Sequence, residues 1–253
     1  MPPGNRSAIA KGLIAGCVVA ALASTLFGLV VQSGYPFVLA SAEARASLEV
    51  TAEQLAELKS ARLASDCVAF AMMGGLLAAS VLSARLLTRA SDRLGEGLVP
   101  VAIAILIGLV GGVVGAILAT WFDESVDSVN DPMTRSSLRT LLLLVPPAVA
   151  VAIGVAICEK LIAKIPDILL AALVGVVIAL GLNLILHGTL TTFEASPPLM
   201  PERGSNRLLL AFAFLVPATL TLTYALLRSG GPAAGSLPVD VAGGAVGSGE
   251  SRD

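Results

Sequence analysis

The sequence predicts an all-α protein, a polytopic transmembrane helical bundle of about six spans with a short extramembrane helix after the first span. Two features of the composition lead to this fold class. Hydrophobic residues make up 56% of the chain and charged residues only 13%, whereas soluble domains carry about 25% charged residues. The few charges are clustered, and the uncharged stretches between them reach the ~20 residues that a helix needs to cross a bilayer.

The uncharged stretches give the positions of the spans. They cover residues 12–32, 64–84, 98–122, 140–158, 167–188 and 208–227. Each is predicted to be a helix, because a backbone in lipid must bond its own amides and the alternating pattern of barrel strands is absent. Residues 1–228 therefore form one transmembrane domain. The Gly-, Ala-, Pro- and Ser-rich segment 229–253 is predicted to be a disordered tail.

The first span has an alternative interpretation as a cleaved signal peptide. Arg6 and Lys11 would form its positive region, and Ala40-Ser41-Ala42 resembles a cleavage site. The apolar region of a signal peptide is about 7–15 residues long, which is shorter than this stretch. A retained helix is therefore the favoured interpretation.

The extramembrane helix is predicted from a capping pattern. Thr51-Ala52-Glu53-Gln54 fits a capping box, with Thr51 as N-cap and Gln54 at the third helical position. Leu55 and Leu58 follow at near-helical spacing among charged residues. We expect a solvated helix that precedes the second span or runs into it, and a partner-binding surface is the alternative.

The basic residues indicate the orientation. Lys and Arg outside the spans divide nine to seven in favour of the side that holds both termini, and an excess of these residues marks the cytoplasmic side. Tyr35, Phe37, Trp121 and Phe122 would then lie at the outer interface, where aromatic rings are favoured. We expect a multi-pass protein of the cell (plasma or inner) membrane with both termini in the cytoplasm.

Small residues in two spans predict a face for close helix packing. These candidate packing residues are Gly74, Gly75, Gly108, Gly111, Gly112 and Gly115. Glycines four residues apart line one helix face and allow a neighbouring backbone to approach. The favoured interpretation is packing within the chain, between the second and third spans. The alternative is a face for dimer contact, or a surface along which one helix moves against another.

Three prolines are predicted to kink their helices, namely Pro146, Pro147 and Pro217. A proline inside a helix leaves the carbonyl four residues earlier without its partner. In the fourth and sixth spans these carbonyls belong to Leu142, Leu143 and Ala213. In lipid they need other donors.

A candidate intramembrane polar cluster consists of Asn183, His187 and Thr219. Asn183 carries two donors and lies at a depth suited to the freed carbonyls of the fourth span. His187 follows it by one helical turn. The functional interpretation is a polar site near the outer mouth. The alternative is that Asn183 joins helices and His187 marks the interface.

Several function classes lack their signature residues. A single histidine excludes a bis-histidine haem and an HExxH zinc site, and no P-loop or GxSxG pattern occurs. Net charge is −2, which gives no basic field for nucleic acid. No charged residue lies well inside a span, and Asp66 and Glu159 are interpreted as span ends. We expect no cofactor, no metal and no catalytic residue.

The sequence therefore favours a non-enzymatic structural, assembly or interaction component of a membrane. A small-solute transporter or channel subunit is the alternative. A third option is a membrane enzyme whose acidic loop, containing Asp123, Glu124, Asp127 and Asp131, binds a hard cation. The expected partners are membrane lipid and either other membrane proteins or a second copy of the chain.

Overall fold

The computed structural model describes residues 3–46, 51–88, 98–125, 131–190 and 204–229. Within these ranges the chain forms helices and contains no strand. The helices are α1 (Pro3–Gly34), α2 (Ala42–Ala46), α3 (Ala52–Thr88), α4 (Leu98–Ser125), α5 (Pro132–Cys158), α6 (Ile165–Leu190) and α7 (Gly204–Ser229), with a 3₁₀ turn at Ile162–Lys164.

Six of these helices are long and apolar enough to cross a membrane, and the short α2 is the exception. The predicted all-α bundle of six spans is therefore confirmed. The helices extend beyond the predicted spans, most of all in α3, whose 37 residues reach about 55 Å. That exceeds the ~30 Å of hydrocarbon, so part of α3 lies outside the bilayer. The predicted tail lies outside the described residues, apart from Ser229, which ends α7.

The predicted extramembrane helix runs into the second span, which is one of its two expected arrangements. The capping box is confirmed, because the Thr51 amide donates to Gln54 Oε1 at 3.0 Å and the Gln54 amide donates to Thr51 Oγ1 at 3.3 Å. The helix that it starts is α3 itself, which continues into the membrane without a break. The separate short helix after the first span is α2, and the apolar run that follows Arg62 carries α3 onward with no residue that would end it.

The spans form a ring in which each helix packs against its neighbours in the chain. Contacts between α1 and α7 close the ring, and α3 also packs against α7 across the bundle. As a result α3 and α7 are the most buried spans, whereas α4 and α6 are the most exposed. The interior of the bundle is therefore built mainly around α3 and α7.

The outer faces of the helices are apolar, unlike those of a soluble protein, and the apolar interior includes a few buried charges. Leu22 on α1, Val110 on α4 and Val177 on α6 expose 66%, 62% and 64% of their surface. By contrast, Asp66 and Arg207 are only 2% and 8% exposed. Apolar side chains outside and charges inside suit a bundle surrounded by acyl chains.

One glycine pair of α4 packs against α3. A Cβ built on Gly112 would overlap the carbonyl oxygen of Phe70, and a Cβ on Gly108 would lie 2.5 Å from the carbonyl oxygen of Gly74. Gly75 instead faces a side chain, since its Cβ would lie 2.9 Å from Leu109 Cδ2. The backbones of α3 and α4 are therefore too close at Gly108 and Gly112 to leave room for a Cβ atom.

The other glycine pair of α4 packs against the proline segment of α5. A Cβ on Gly111 would lie 2.9 Å from Pro147 Cα and 3.0 Å from the carbonyl oxygen of Pro146. A Cβ on Gly115 would overlap the carbonyl oxygen of Leu143. Both glycine pairs thus contact helices of the same chain, and all four glycines are buried.

The helices continue through their prolines. Pro146 and Pro147 lie inside α5, and Pro217 lies inside α7. Thr221 Oγ1 donates to the carbonyl oxygen of Pro217 at 3.0 Å. Kinks at these residues stay a prediction.

Candidate functional site

Buried charged side chains gather at both ends of the bundle. The Tyr35 cluster, formed by Tyr35, Asp66 and Arg207, lies where α1 ends and α7 begins. The Arg85 cluster, formed by Arg85, Glu159 and the carbonyl of Leu226, lies where α5 ends and α3 and α7 finish. The Tyr35 cluster joins α3 and α7 to the end of α1, and the Arg85 cluster joins α3 and α7 to the end of α5.

The Tyr35 cluster joins three helices. The phenol of Tyr35 donates to Asp66 Oδ1 on α3 at 2.8 Å. The guanidinium carbon of Arg207 on α7 lies 4.6 Å from the centroid of the Tyr35 ring, within the range of a cation–π interaction. Arg207 Nη1 also donates to the carbonyl oxygen of Val31 on α1 at 3.1 Å. Burial, and then the adjacent carboxylate of Asp66, raise the pKa of the Tyr35 phenol above its ordinary value.

A second pair at the same end joins α4 to α5. Arg139 Nε lies 2.7 Å from Asp123 Oδ2, and Arg135 Nη2 donates to the Asp123 carbonyl oxygen at 2.9 Å. Arg139 is 8% exposed. This pair closes the hairpin of α4 and α5 on the side where the Tyr35 cluster lies.

Two carboxylates of the acidic loop, which was a candidate cation site, have structural roles instead. Asp123 pairs with Arg139, and Asp131 is the N-cap of α5, where it accepts a bond from the Thr134 amide. Bonds from Thr134 lower the pKa of Asp131 below its usual value. Asp127 lies outside the described residues. In the described part of the chain, no group of three or more His, Cys, Asp and Glu residues is placed to hold a metal ion.

The Arg85 cluster joins α3, α5 and α7. Arg85 Nη1 donates to the Leu226 carbonyl oxygen of α7 at 3.0 Å. Arg85 Nε lies 3.5 Å from Oε2 of Glu159, which follows the last residue of α5. Cys158 Sγ donates to the carbonyl oxygen of Pro100 on α4 at 2.8 Å, so α4 is joined to the same end.

These charges add to an interpretation made from the sequence. Asp66 and Glu159 lie toward the ends of the bundle, as the sequence indicated, and both also have partners within it. Arg139 and Arg207, counted as loop charges, are buried as well. The signal in the sequence was the presence of opposite charges at the ends of spans that meet at the same side of the membrane. Pairing lowers the cost of burying them.

A third polar feature lies between the two ends. We call it the hydroxyl seam, and it consists of Ser80 on α3 with Thr219 and Thr223 on α7. These side chains are 1%, 0% and 0% exposed. Their hydroxyl oxygens have no hydrogen-bond partner among the described residues. Buried hydroxyls are usually bonded, so this group is exceptional.

The contacts of Gly16 locate the seam at the junction of three helices. A Cβ on Gly16 of α1 would lie 3.5 Å from Thr223 Oγ1, 3.6 Å from Ala84 Cβ and 3.7 Å from Thr219 Cγ2. Ser80 precedes Ala84 by one turn of α3, on the same helix face. The seam therefore lies where α1, α3 and α7 meet.

The structure does not bring Thr219 to Asn183. Thr219 faces Gly16 of α1, whereas α6 meets α7 at Gly175, whose Cβ would lie 2.9 Å from Ala218 Cα. Asn183 lies eight residues further along α6, or about 12 Å along the axis. Thr219 is therefore separated from Asn183, because the face of α7 that carries Thr219 is turned toward α1.

The remaining predictions about this cluster are open. His187 lies on α6, and its side chain lies outside the described part of the chain. The Leu143 carbonyl freed by Pro147 lies against Gly115 of α4. A bond from Asn183 to the carbonyl of Leu142, Leu143 or Ala213 stays a prediction.

Comparison with protein-family models, with curated proteins and with solved structures finds no match to this chain. The fold alone therefore defines the class. The chain is a multi-pass α-helical membrane protein with six candidate spans.

Proposed function

We propose that the protein moves a small solute across the membrane by opening contacts of α3 and α7 at alternate ends. One observation carries this proposal, namely that buried charged clusters hold the two central helices at both ends. Burying paired charges in a bundle stabilises it no better than apolar packing, and often less well. Charged contacts inside a membrane bundle frequently belong to substrate or ion pathways.

The position of the clusters supports alternating access. The Tyr35 cluster joins α3 and α7 to the end of α1, and the Arg85 cluster joins α3 directly to the carbonyl of Leu226 on α7. In many transporters one part of the bundle rocks against the other around a site near the middle of the membrane.

The assembly role favoured by the sequence has less support. A glycine face available to another protein would have supported it, but Gly108, Gly111, Gly112 and Gly115 contact α3 and α5 of the same chain. The exposed faces of α1, α4 and α6 are aliphatic, which suits lipid as the surrounding partner. The proposal keeps a non-enzymatic role without a cofactor or nucleic acid.

The proposal includes an orientation. The protein lies in the cell (plasma or inner) membrane with both termini in the cytoplasm, so that the Tyr35 cluster faces outward and the Arg85 cluster faces inward. This orientation follows from the excess of Lys and Arg on the side of the termini.

Reconstitution tests the proposal. The purified full chain is placed in liposomes, and the entry of glycerol, urea, Na⁺ and Cl⁻ is compared with that in protein-free liposomes. We expect at least one solute to equilibrate faster with the protein present. If none does, and a membrane protein co-purifies in fixed proportion from mild detergent, the assembly role replaces the transport role.

A further inference from the structure

We infer that the hydroxyl seam binds a small uncharged solute that carries hydroxyl or amide groups. The inference rests on the proposed transport function and names the class of solute. It is based on a comparison of the hydrogen bonds that Ser and Thr hydroxyls form within the spans. Ser24, Thr120 and Thr140 each donate to the carbonyl four residues earlier, which is the usual arrangement in a helix.

The three hydroxyls of the seam do not form this bond to the carbonyl four residues earlier. Ser80, Thr219 and Thr223 are, like Ser24, at most 1% exposed, yet their hydroxyls have no partner within the described ranges. Thr221, on the same helix, does bond to the Pro217 carbonyl. The departure is therefore confined to the surface where α7 meets α1 and α3.

The seam lies directly behind the Arg85 cluster. Ser80 precedes Arg85 by five residues, or about 7.5 Å along α3. Thr223 precedes Leu226, whose carbonyl Arg85 binds, by three residues, or about 4.5 Å. Breaking the contact between Arg85 and Leu226 would thus open the end of α3 and α7 that is nearest to the seam.

The charges near the seam favour a neutral solute. The seam itself has only hydroxyls, each of which both donates and accepts hydrogen bonds. The charged pair of the adjoining Arg85 cluster is Arg85 with Glu159, whose opposite charges lie 3.5 Å apart. An ion of either sign bound among the three hydroxyls would lose its hydration without a counter-charge in the seam, which is strongly unfavourable. A hydroxyl or amide group of a solute would instead form hydrogen bonds with the seam.

Gly16 supplies the sharpest test of the site. An added Cβ would meet Thr223, Ala84 and Thr219 at 3.5–3.7 Å, which is ordinary van der Waals contact. Gly16→Ala should therefore fold while filling space beside the hydroxyls. Gly181→Ala is the matched control, because a Cβ there meets nothing within 4 Å.

The experiment measures glycerol entry into liposomes that contain the full chain, by stopped-flow light scattering. We expect Gly16→Ala and Thr219→Val/Thr223→Val to slow protein-dependent entry about tenfold, the effect of losing one or two hydrogen bonds. Gly181→Ala and Thr221→Val should leave the rate unchanged. Gel filtration and thermal unfolding check that each variant is folded.

The outcomes separate the inference from the proposed function. Protein-dependent entry of Na⁺ or Cl⁻ without entry of glycerol or urea would overturn the inference and leave the transport proposal standing. Glycerol entry that is unchanged in the folded seam variants would also overturn it, because the solute would then pass elsewhere. If no solute enters faster than in protein-free liposomes, both fail.

Discussion

The phenol of Tyr35 donates a 2.8 Å hydrogen bond to the carboxylate of Asp66. Tyr35 follows the end of α1, and Asp66 lies inside α3 with 2% of its surface exposed. The bond therefore connects the segment after the first span to the buried start of the second span. Since Arg207 packs over the same ring, the contact also includes α7.

Removal of the Tyr35 hydroxyl should destabilise the protein. Tyr35→Phe leaves the buried Asp66 carboxylate without one donor, and a hydrogen bond to a charged group contributes about 1.5–3 kcal/mol. We expect a lower midpoint of thermal unfolding in detergent. Tyr224→Phe is the control, because Tyr224 is 40% exposed. Equal midpoints for the two variants would contradict the assigned bond.

The pH dependence of the same bond has a defined direction. Burial and Asp66 raise the pKa of Tyr35, so the folded state favours the neutral phenol. Its stabilising contribution is complete below the unfolded pKa of about 10. It is lost as pH rises through the higher folded value.

Absorbance of tyrosinate near 295 nm tests this direction. The chain has two tyrosines, so Tyr224→Phe leaves Tyr35 as the only one. We expect its ionisation in the folded protein to occur above that of a free tyrosine, and to return to the ordinary value after unfolding. The same midpoint in both states would show that Asp66 and burial do not act on the phenol.

Close packing of α3 and α4 should be sensitive to a single methyl group. In Gly112→Ala the new Cβ would overlap the Phe70 carbonyl oxygen, which is backbone and cannot rotate away. Overpacking of this kind costs about 1–3 kcal/mol or more. Gly181→Ala, with open space around its Cβ inside α6, should be at least as stable as the wild type. A Gly112→Ala variant as stable as Gly181→Ala would place α4 further from α3 than described.

The hydroxyl of Thr223 should lower stability rather than raise it. Thr223→Val replaces a buried hydroxyl that lacks a described partner with a methyl group of similar size. Removing such a group should stabilise the protein by about 1 kcal/mol or more. Thr221→Val should not stabilise it, because the Thr221 hydroxyl is bonded to Pro217. A lower unfolding midpoint for Thr223→Val would show that its hydroxyl is a structural bond.

Labelling of single cysteines tests the orientation. Glu53 at the start of α3 and Lys164 before α6 are both exposed and lie toward opposite ends of the bundle. In a background without the native Cys17, Cys67 and Cys158, we expect an impermeant maleimide to label Glu53→Cys in intact cells. Lys164→Cys should be labelled only after the cells are opened. The reverse pattern would invert the orientation and leave the fold unchanged.

Local features of the chain could be predicted because they depend on nearby residues alone. The scarcity of charge and the length of each apolar stretch are sufficient to define six spans. The capping box at Thr51 and Gln54 is a contact between residues three positions apart, and the structure contains it. The helix that this box starts runs into the second span, which is one of the two outcomes that the sequence allowed, because no residue after Arg62 ends it.

The candidate site depended on which helix faces meet. Thr219 was grouped with Asn183 because both are polar and lie in neighbouring spans, but Thr219 faces α1. Ser80 and Thr223 cannot be recognised as members of a site from the sequence, since nothing in it separates their hydroxyls from those bonded within a helix. The partners of Asp66, Arg85 and Glu159 could likewise not be predicted, because they lie on other helices.

The sequence by itself determined that this chain crosses a membrane and where its helices lie, because both follow from the cost of exposing backbone amides and charges to lipid. Only the tertiary structure decided which charges pair at the two ends and which hydroxyls share the seam. The rotation of each helix about its axis depends on packing with every neighbour, and in this bundle the glycines of α4 and the contacts of α7 with α1 and α3 set it.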